Sequence, residues 1–298
     1  MMREQLTRNI SLKDIRFLAV LILGTAKTNV IGNFTHEKGR HWPKSGSYLL
    51  PIIESVGKRR TPLELYPIVG LFYDYIRTTD DLFDKEKNLP GWEDTKNSLK
   101  TVKDPLFEKL RKSQIIDEAQ QKYIFERINS LGESVYSTME EKSSWTKPPS
   151  YEKAYSYRID TTGLLSDVVA DVWCIFAKVP DELRTITKEV IKRLGMVLQF
   201  RDDLSDLRQD SEMDGNLVLA VLNEENERYS ILSLIKKSKS KINLVKLLRS
   251  HAPKSYKRVM DYINKEFEQI RKMSPDTGSK LADLIQFATD INYFIKTE

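Results

Sequence analysis

The sequence predicts an all-α protein built as one domain, and three observations predict it. Its 11 prolines and 12 glycines fall at a few punctuation points. The long stretches between them carry apolar residues at three- and four-residue spacing, the period of a helix with one dry face. Strand alternation is absent over any useful length. In chain order the spacing predicts helices over roughly 12–30, 46–57, 62–86, 106–142, 150–178, 181–210, 226–249, 254–273 and 277–296. The first carries the apolar run Phe17 to Gly24 and the third the run Tyr66 to Tyr75. The fifth carries Trp173 and Phe176, and the sixth Leu194, Met196, Val197, Leu198 and Phe200, with the aromatic residues read as core. Turn formers separate helices at Asn88 to Trp92, Ser143 to Ser150 and Ser211 to Asn216. No low-complexity linker, composition shift or fixed-period repeat divides the chain. Segments 62–86 and 181–210 are apolar around much of their circumference, which places both in the middle of a bundle.

With 298 residues, 31% charged and 40% apolar, the chain buries a large core and has the balance of a soluble globular protein. The net charge of +5 is a small surplus of 48 basic over 43 acidic residues. Basic clusters occur at Lys58, Arg59 and Arg60 and at Lys236, Lys237, Lys239 and Lys241, but no zinc spacing, stacking motif or sustained basic stripe accompanies them. Nucleic acid is therefore not an expected partner. Cys174 is the sole cysteine, so no disulfide forms within the chain, and His36, His41 and His251 make no ligand cluster. The Phe17 to Gly24 run is far shorter than the roughly 20 residues a bilayer requires. The expectation is a cytoplasmic enzyme without a transmembrane segment.

Two aspartate clusters interrupt the apolar pattern. The first reads Asp80, Asp81, Leu82, Phe83, Asp84; the second reads Asp202, Asp203, Leu204, Ser205, Asp206, followed by Asp210. On a helix Asp80 and Asp84 lie on one face, and Asp202, Asp206 and Asp210 form a column about two turns tall. Like charges at that spacing destabilise a helix unless a cation sits between them. Magnesium is such a cation, held as a rule by one or two carboxylates with water and substrate phosphate completing its shell. A single cluster arises often on solvated helix faces. Two, each ending an apolar helix, argue for two columns that clamp one diphosphate.

The stretch LGMVLQFRDDLSD, Leu194 to Asp206 with Gln199, resembles the second aspartate-rich segment of the isoprenoid synthase family, the trans-prenyltransferases and class I terpene synthases. YDYIRTTDDLFD, Tyr73 to Asp84, is similar to the first. Arg158 to Val179, broken at Thr161, Thr162 and Gly163, resembles the helix between them, and Gly39 to Pro51 sits where the family has a glycine-lysine-arginine loop. The resemblance implies a single large helical bundle around a deep central apolar cavity, a homodimer, and three Mg²⁺ ions for which Mn²⁺ can substitute. It implies that Asp80, Asp81 and Asp84 hold two ions and that Asp202 and Asp206, helped by Asp210, hold the third. Tyr75 then floors the cavity for shorter chains. Arg40, Lys44, Arg77, Gln199 and Gly163 fall in substrate-binding positions, Arg77 alternatively pairing with Asp81.

Departures from the family's pattern bear on the reaction. Lys85 to Pro90 lacks the paired arginines of chain-elongating members, Thr161 replaces a lysine, and Ser211 to Leu217 contains no lysine. A second anionic substrate, isopentenyl diphosphate, finds a weakened site. Arg158, Asp160 and Gly163 resemble instead the groups with which terpene synthases sense diphosphate and trigger ionisation; the alternative is an Arg158 salt bridge on a surface helix. The expectation is therefore cyclisation or non-standard transfer of an allylic isoprenyl diphosphate. Ordinary chain elongation is the alternative, and a silent regulatory subunit is a further one that the intact aspartates oppose.

Overall fold

The computed structural model describes residues 53, 56, 57, 104, 108, 112, 116–208, 210–237 and 243–273, and among these regular structure is helical throughout. Asp80, Asp81, Asp84, Tyr75, Arg77, Arg40 and Lys44 lie outside the described residues, as do the predicted helices 12–30, 62–86 and 277–296 and most of 46–57.

Counting from the first helix described in full, α1 spans Glu118–Ser143. It begins at Asp117, whose carboxylate accepts from Gln120 N at 2.8 Å while the Gln120 side chain accepts from Asp117 N at 3.2 Å. This reciprocal cap satisfies two N–H groups that a helix start leaves open. It also corrects the single helix expected over 106–142, because the chain is extended at Asp117. Helix α2 (Tyr151–Arg158) starts on the Ser150 hydroxyl, passes into a π-helical turn (Ile159–Gly163) and continues as α3 (Leu164–Ala177). The Leu164 N–H reaches back five residues to Ile159 O, so the expected break at 161–163 is a bulge of one extra residue within a helix. Lys178, left-handed at φ 53, closes α3 with Val179 N donating to Cys174 O at 2.9 Å.

Helix α4 covers Asp181–Ser205, shorter than the predicted 181–210. The Asp203 carbonyl, which in a continuing helix accepts the N–H four residues on, accepts Asn216 Nδ2 at 2.6 Å instead. The column of three acids on one helix is thereby corrected: Asp206 is the C-cap and Asp210 lies beyond the helix. Helix α5 (Leu217–Glu224) was not predicted. The helix expected over 226–249 is two, α6 (Arg228–Lys237) and α7 (Leu244–His251), the second begun by the Asn243 side chain accepting from Lys246 N at 2.8 Å. Helix α8 (Pro253–Met273) agrees with the predicted 254–273.

Two cores result. One joins α1, α3, the first part of α4 and the end of α8 around Trp173 and Phe176, which meet edge to face at 5.4 Å. The other joins α2, the end of α4, and α5 to α8 around Phe200. These three aromatic side chains are fully buried, as expected from sequence, each contributing on the order of 1.5–3 kcal/mol. Helix α4 threads both cores, so its acidic end is fixed from two sides. Burial pushes the Cys174 thiol up to about 12, which makes it a packing group and not a nucleophile.

Candidate active site

The last turns of α4 present two faces. Asp202 and Asp206, one turn apart, lie on the wetter side, Asp202 exposed and Asp206 half-buried. Asp203, one residue on, turns inward and is 2% exposed. Such a carboxylate is tolerated only with several partners. It has them: Arg158 Nη2 donates to Oδ1 at 3.0 Å, Gln199 Nε2 to the same oxygen at 2.6 Å, and Leu217 N to Oδ2 at 2.7 Å.

The partners belong to three helices. Arg158 ends α2 and also donates from Nε to Gly215 O at 3.1 Å. Gln199 accepts from the Thr162 hydroxyl of the π-turn at 2.6 Å. Leu217 opens α5. Asn216 caps α5, accepting from Leu219 N at 2.9 Å, and its amide nitrogen donates to Asp203 O and, at 2.7 Å, to Asp210 Oδ2. Gly215 is left-handed at φ 68, and a Cβ there would meet the Tyr157 ring at 2.8 Å, so only glycine fits both the turn and the approach.

Burial shifts the carboxyls of Asp203, Asp206 and Asp210 in one direction. Burial, then the neighbouring Asp210, pushes the Asp206 carboxyl above its ordinary range. Burial and Asp214 raise Asp210, against the lowering hydrogen bond from Asn216. Burial raises Asp203 in spite of Arg158, Leu217 N and Gln199. Arg158 lowers all three carboxyls, and burial outweighs it at each. Among the described residues no group of three or more His, Cys, Asp or Glu side chains converges as a metal cage.

The structure therefore brings together Arg158, Gln199, Asp206 and Asp210 around Asp203, which sequence reasoning left out, with Asp202 one turn from Asp206. Arg158 is in a salt bridge, yet a part-buried one, its side chain 17% exposed against 2% for Asp203. Gly163 has an ordinary helical φ, and its missing Cβ faces Lys192 Cε at 3.5 Å, which is plain van der Waals contact. Asp160 is exposed and lines an open, polar groove of about 460 Å³ with Glu133, Ser134, Ser137 and Thr138 of α1. The signal for Asp203 was present: three, four and seven residues after Phe200, Gln199 and Met196 and four before Leu207, it falls on the dry stripe of α4.

No protein-family model matches the sequence, and no curated protein does. Solved structures do. The geranylgeranyl pyrophosphate synthetase of Pyrococcus horikoshii Ot3 superposes over 93% of this chain and 98% of its own, with TM-score 0.55 and 14% identity. The polyprenyl synthetase of Streptomyces coelicolor A3(2) does so over 83% and 86%, with TM-score 0.55 and 13% identity. The decaprenyl diphosphate synthase of Rhodobacter capsulatus does so over 91% and 97%, with TM-score 0.53 and 15% identity. The chain has the isoprenoid synthase fold. On this fold, no helix among the described residues is long and apolar enough to cross a membrane.

Proposed function

We propose that this protein is a magnesium-dependent isoprenoid synthase. It ionises an allylic isoprenyl diphosphate of about ten to twenty carbons, then cyclises it or passes it to an acceptor other than isopentenyl diphosphate. The observation that carries this reading is the acidic end of α4 on an isoprenoid synthase fold, with Asp202 and Asp206 one turn apart and Asp210 close enough to raise Asp206.

The donor set suits a hard divalent ion. Asp202 and Asp206, helped by Asp210, would hold one ion, and Asp80, Asp81 and Asp84 the other two. A magnesium ion needs few protein ligands when phosphate and water complete its shell. When bound, magnesium supplies Lewis acidity that neutralises the departing diphosphate. The chain's own groups do the rest. Arg158, anchored on Asp203 and Gly215 O, holds positive charge beside the acids. Arg40, Lys44 and Arg77 bind diphosphate oxygens in this reading. In the same reading Gln199 and Gly163 would line the approach, Tyr75 would floor an apolar cavity that excludes water from the cation, and two copies would assemble in the cytoplasm.

Chain elongation is the second reading, favoured by the names of the structural neighbours, which are geranylgeranyl, polyprenyl and decaprenyl synthases. Against it stand the missing arginines and lysines around isopentenyl diphosphate. One experiment separates them: the purified chain with Mg²⁺ and geranyl, farnesyl or geranylgeranyl diphosphate, with and without isopentenyl diphosphate. Hydrocarbons or alcohols without the second substrate are expected. Longer diphosphates only in its presence establish elongation, and no turnover at all leaves a partner subunit and overturns the proposal. Asp202→Ala and Asp80→Ala each abolish turnover with the helical circular dichroism unchanged; wild-type rates in both variants refute the site.

A further inference from the structure

We propose that Asp203 is a positioning residue for the metal end of this site and not a ligand. The inference rests on the function proposed above and assigns a role within that site. Geometry is its basis. Asp202 and Asp206 lie toward solvent, whereas Asp203 points into the core and spends both carboxylate oxygens on protein donors, Arg158 and Gln199 on one and Leu217 N on the other. A carboxylate so committed has no oxygen directed at an ion on the wet face.

Its contacts determine where the candidate ligands stand. From α4, Asp203 reaches the end of α2 through Arg158 and the start of α5 through Leu217. Asn216 binds the Asp203 carbonyl with the same amide nitrogen that holds the Asp210 carboxylate. Asp203 thus closes the loop 206–216 onto the helix end, and that loop carries Asp206 at its first position and Asp210 within it. The clasp reaches the π-turn as well, through Gln199 and Thr162. Groups that orient metal ligands without touching the ion typically cost about 10- to 100-fold in metal affinity when altered.

Two variants of the full chain test this, read by Mn²⁺ binding in electron paramagnetic resonance with inorganic pyrophosphate present and without turnover. Asp203→Asn presents an amide to donors that need an anion. Asn216→Ser keeps a hydroxyl able to cap α5 but loses the nitrogen that clasps Asp203 O and Asp210. Asn216→Ser has no carboxylate ligand to remove, so it separates positioning from ligation, and it remains informative if Asp203→Asn fails to fold. The expected result is a loss of Mn²⁺ affinity of at least tenfold in Asn216→Ser, matched by folded Asp203→Asn, with the Mn²⁺ signal otherwise of wild-type form. Wild-type affinity in Asn216→Ser, whatever its melting temperature, overturns the positioning role and leaves the proposed function standing. No Mn²⁺ binding by the unaltered chain overturns both.

Discussion

Asp171 on α3 and Asp203 on α4 are equally buried, 1% and 2% exposed, yet their surroundings are opposite. Around Asp171 stand Arg184 Nε at 2.9 Å, Arg127 Nε at 3.3 Å, Lys188 Nζ at 3.4 Å and the Tyr123 hydroxyl at 2.5 Å. Asp167 shares Arg127 and Lys188. Among the described residues the cation at Asp203 is Arg158, with further acids at Asp206 and Asp210. Burial pushes both carboxyls upward. At Asp171 the Tyr123 hydrogen bond and the cations overcome it and hold the group below its ordinary range; at Asp203 they do not. The Tyr123 hydrogen bond and the surrounding cations, set against burial, distinguish the carboxylate that fastens α1, α3 and α4 from Asp203. Both centres involve the same helix, α4, at opposite ends.

The largest effect expected from this contrast is on stability. Asp171→Ala takes a shared acid from three cations at one junction, leaving Arg127 and Lys188 to Asp167 and removing the acid that Arg184 pairs with. Breaking a buried ion pair costs about 3–5 kcal/mol, and because each cation here is roughly a quarter exposed the lower end applies. Denaturant unfolding measures it. The protein that remains folded keeps its Mn²⁺ affinity, since Asp171 sits at the far end of α4. If Asp171→Ala also weakens the ion, the two ends are coupled and the contrast fails.

Acid offers a gentler probe of the same junction. The folded Asp171 carboxyl lies below its unfolded value of about 3.9, so its contribution to stability is complete above that pH and is lost as pH falls through the folded value. The expected loss of stability from this group therefore occurs below about pH 4, and the loss is smaller in Asp171→Asn, which has no proton to take up. Melting curves from pH 5 to pH 3 compare the two chains; identical slopes break the assignment.

How much of this was legible in the sequence differs between the two ends. The bundle, the central place of α4 and the core aromatics follow from apolar spacing and punctuation, whereas the break after Arg158 follows from the family resemblance and not from the spacing, which runs one helix over 150–178. Helix α5 does not, because Leu217 to Leu222 is apolar at every position and all six residues are buried. A continuous run has no period, and only Asn216 before it marks a helix start. Asp203 was hidden by its neighbour: in a paired-aspartate motif both residues suggest ligation, and only the position of Met196, Gln199 and Leu207 on the same stripe separates the inward one. The Asp171 cluster joins residues 123, 127, 167, 171, 184 and 188 across three helices, and no local pattern reports such a meeting.

The smallest expected effect discriminates between two glycines near the site. At Gly195 an added Cβ would lie 2.1 Å from Ser166 Oγ and 2.9 Å from Ser166 Cβ. The hydroxyl can rotate away but the Cβ cannot, so Gly195→Ala forces α3 and α4 apart at a cost of about 1–3 kcal/mol. At Gly163 the added methyl meets nothing nearer than 3.5 Å and φ is helical, so alanine fits and its lower unfolded entropy is worth up to about 0.5–1 kcal/mol. Gly163→Ala therefore leaves the melting temperature unchanged or slightly raised. Any fall in turnover in that variant then reports contact with substrate and not a damaged fold, because the π-turn owes its shape to an extra residue in the helix and not to a backbone angle that only glycine adopts.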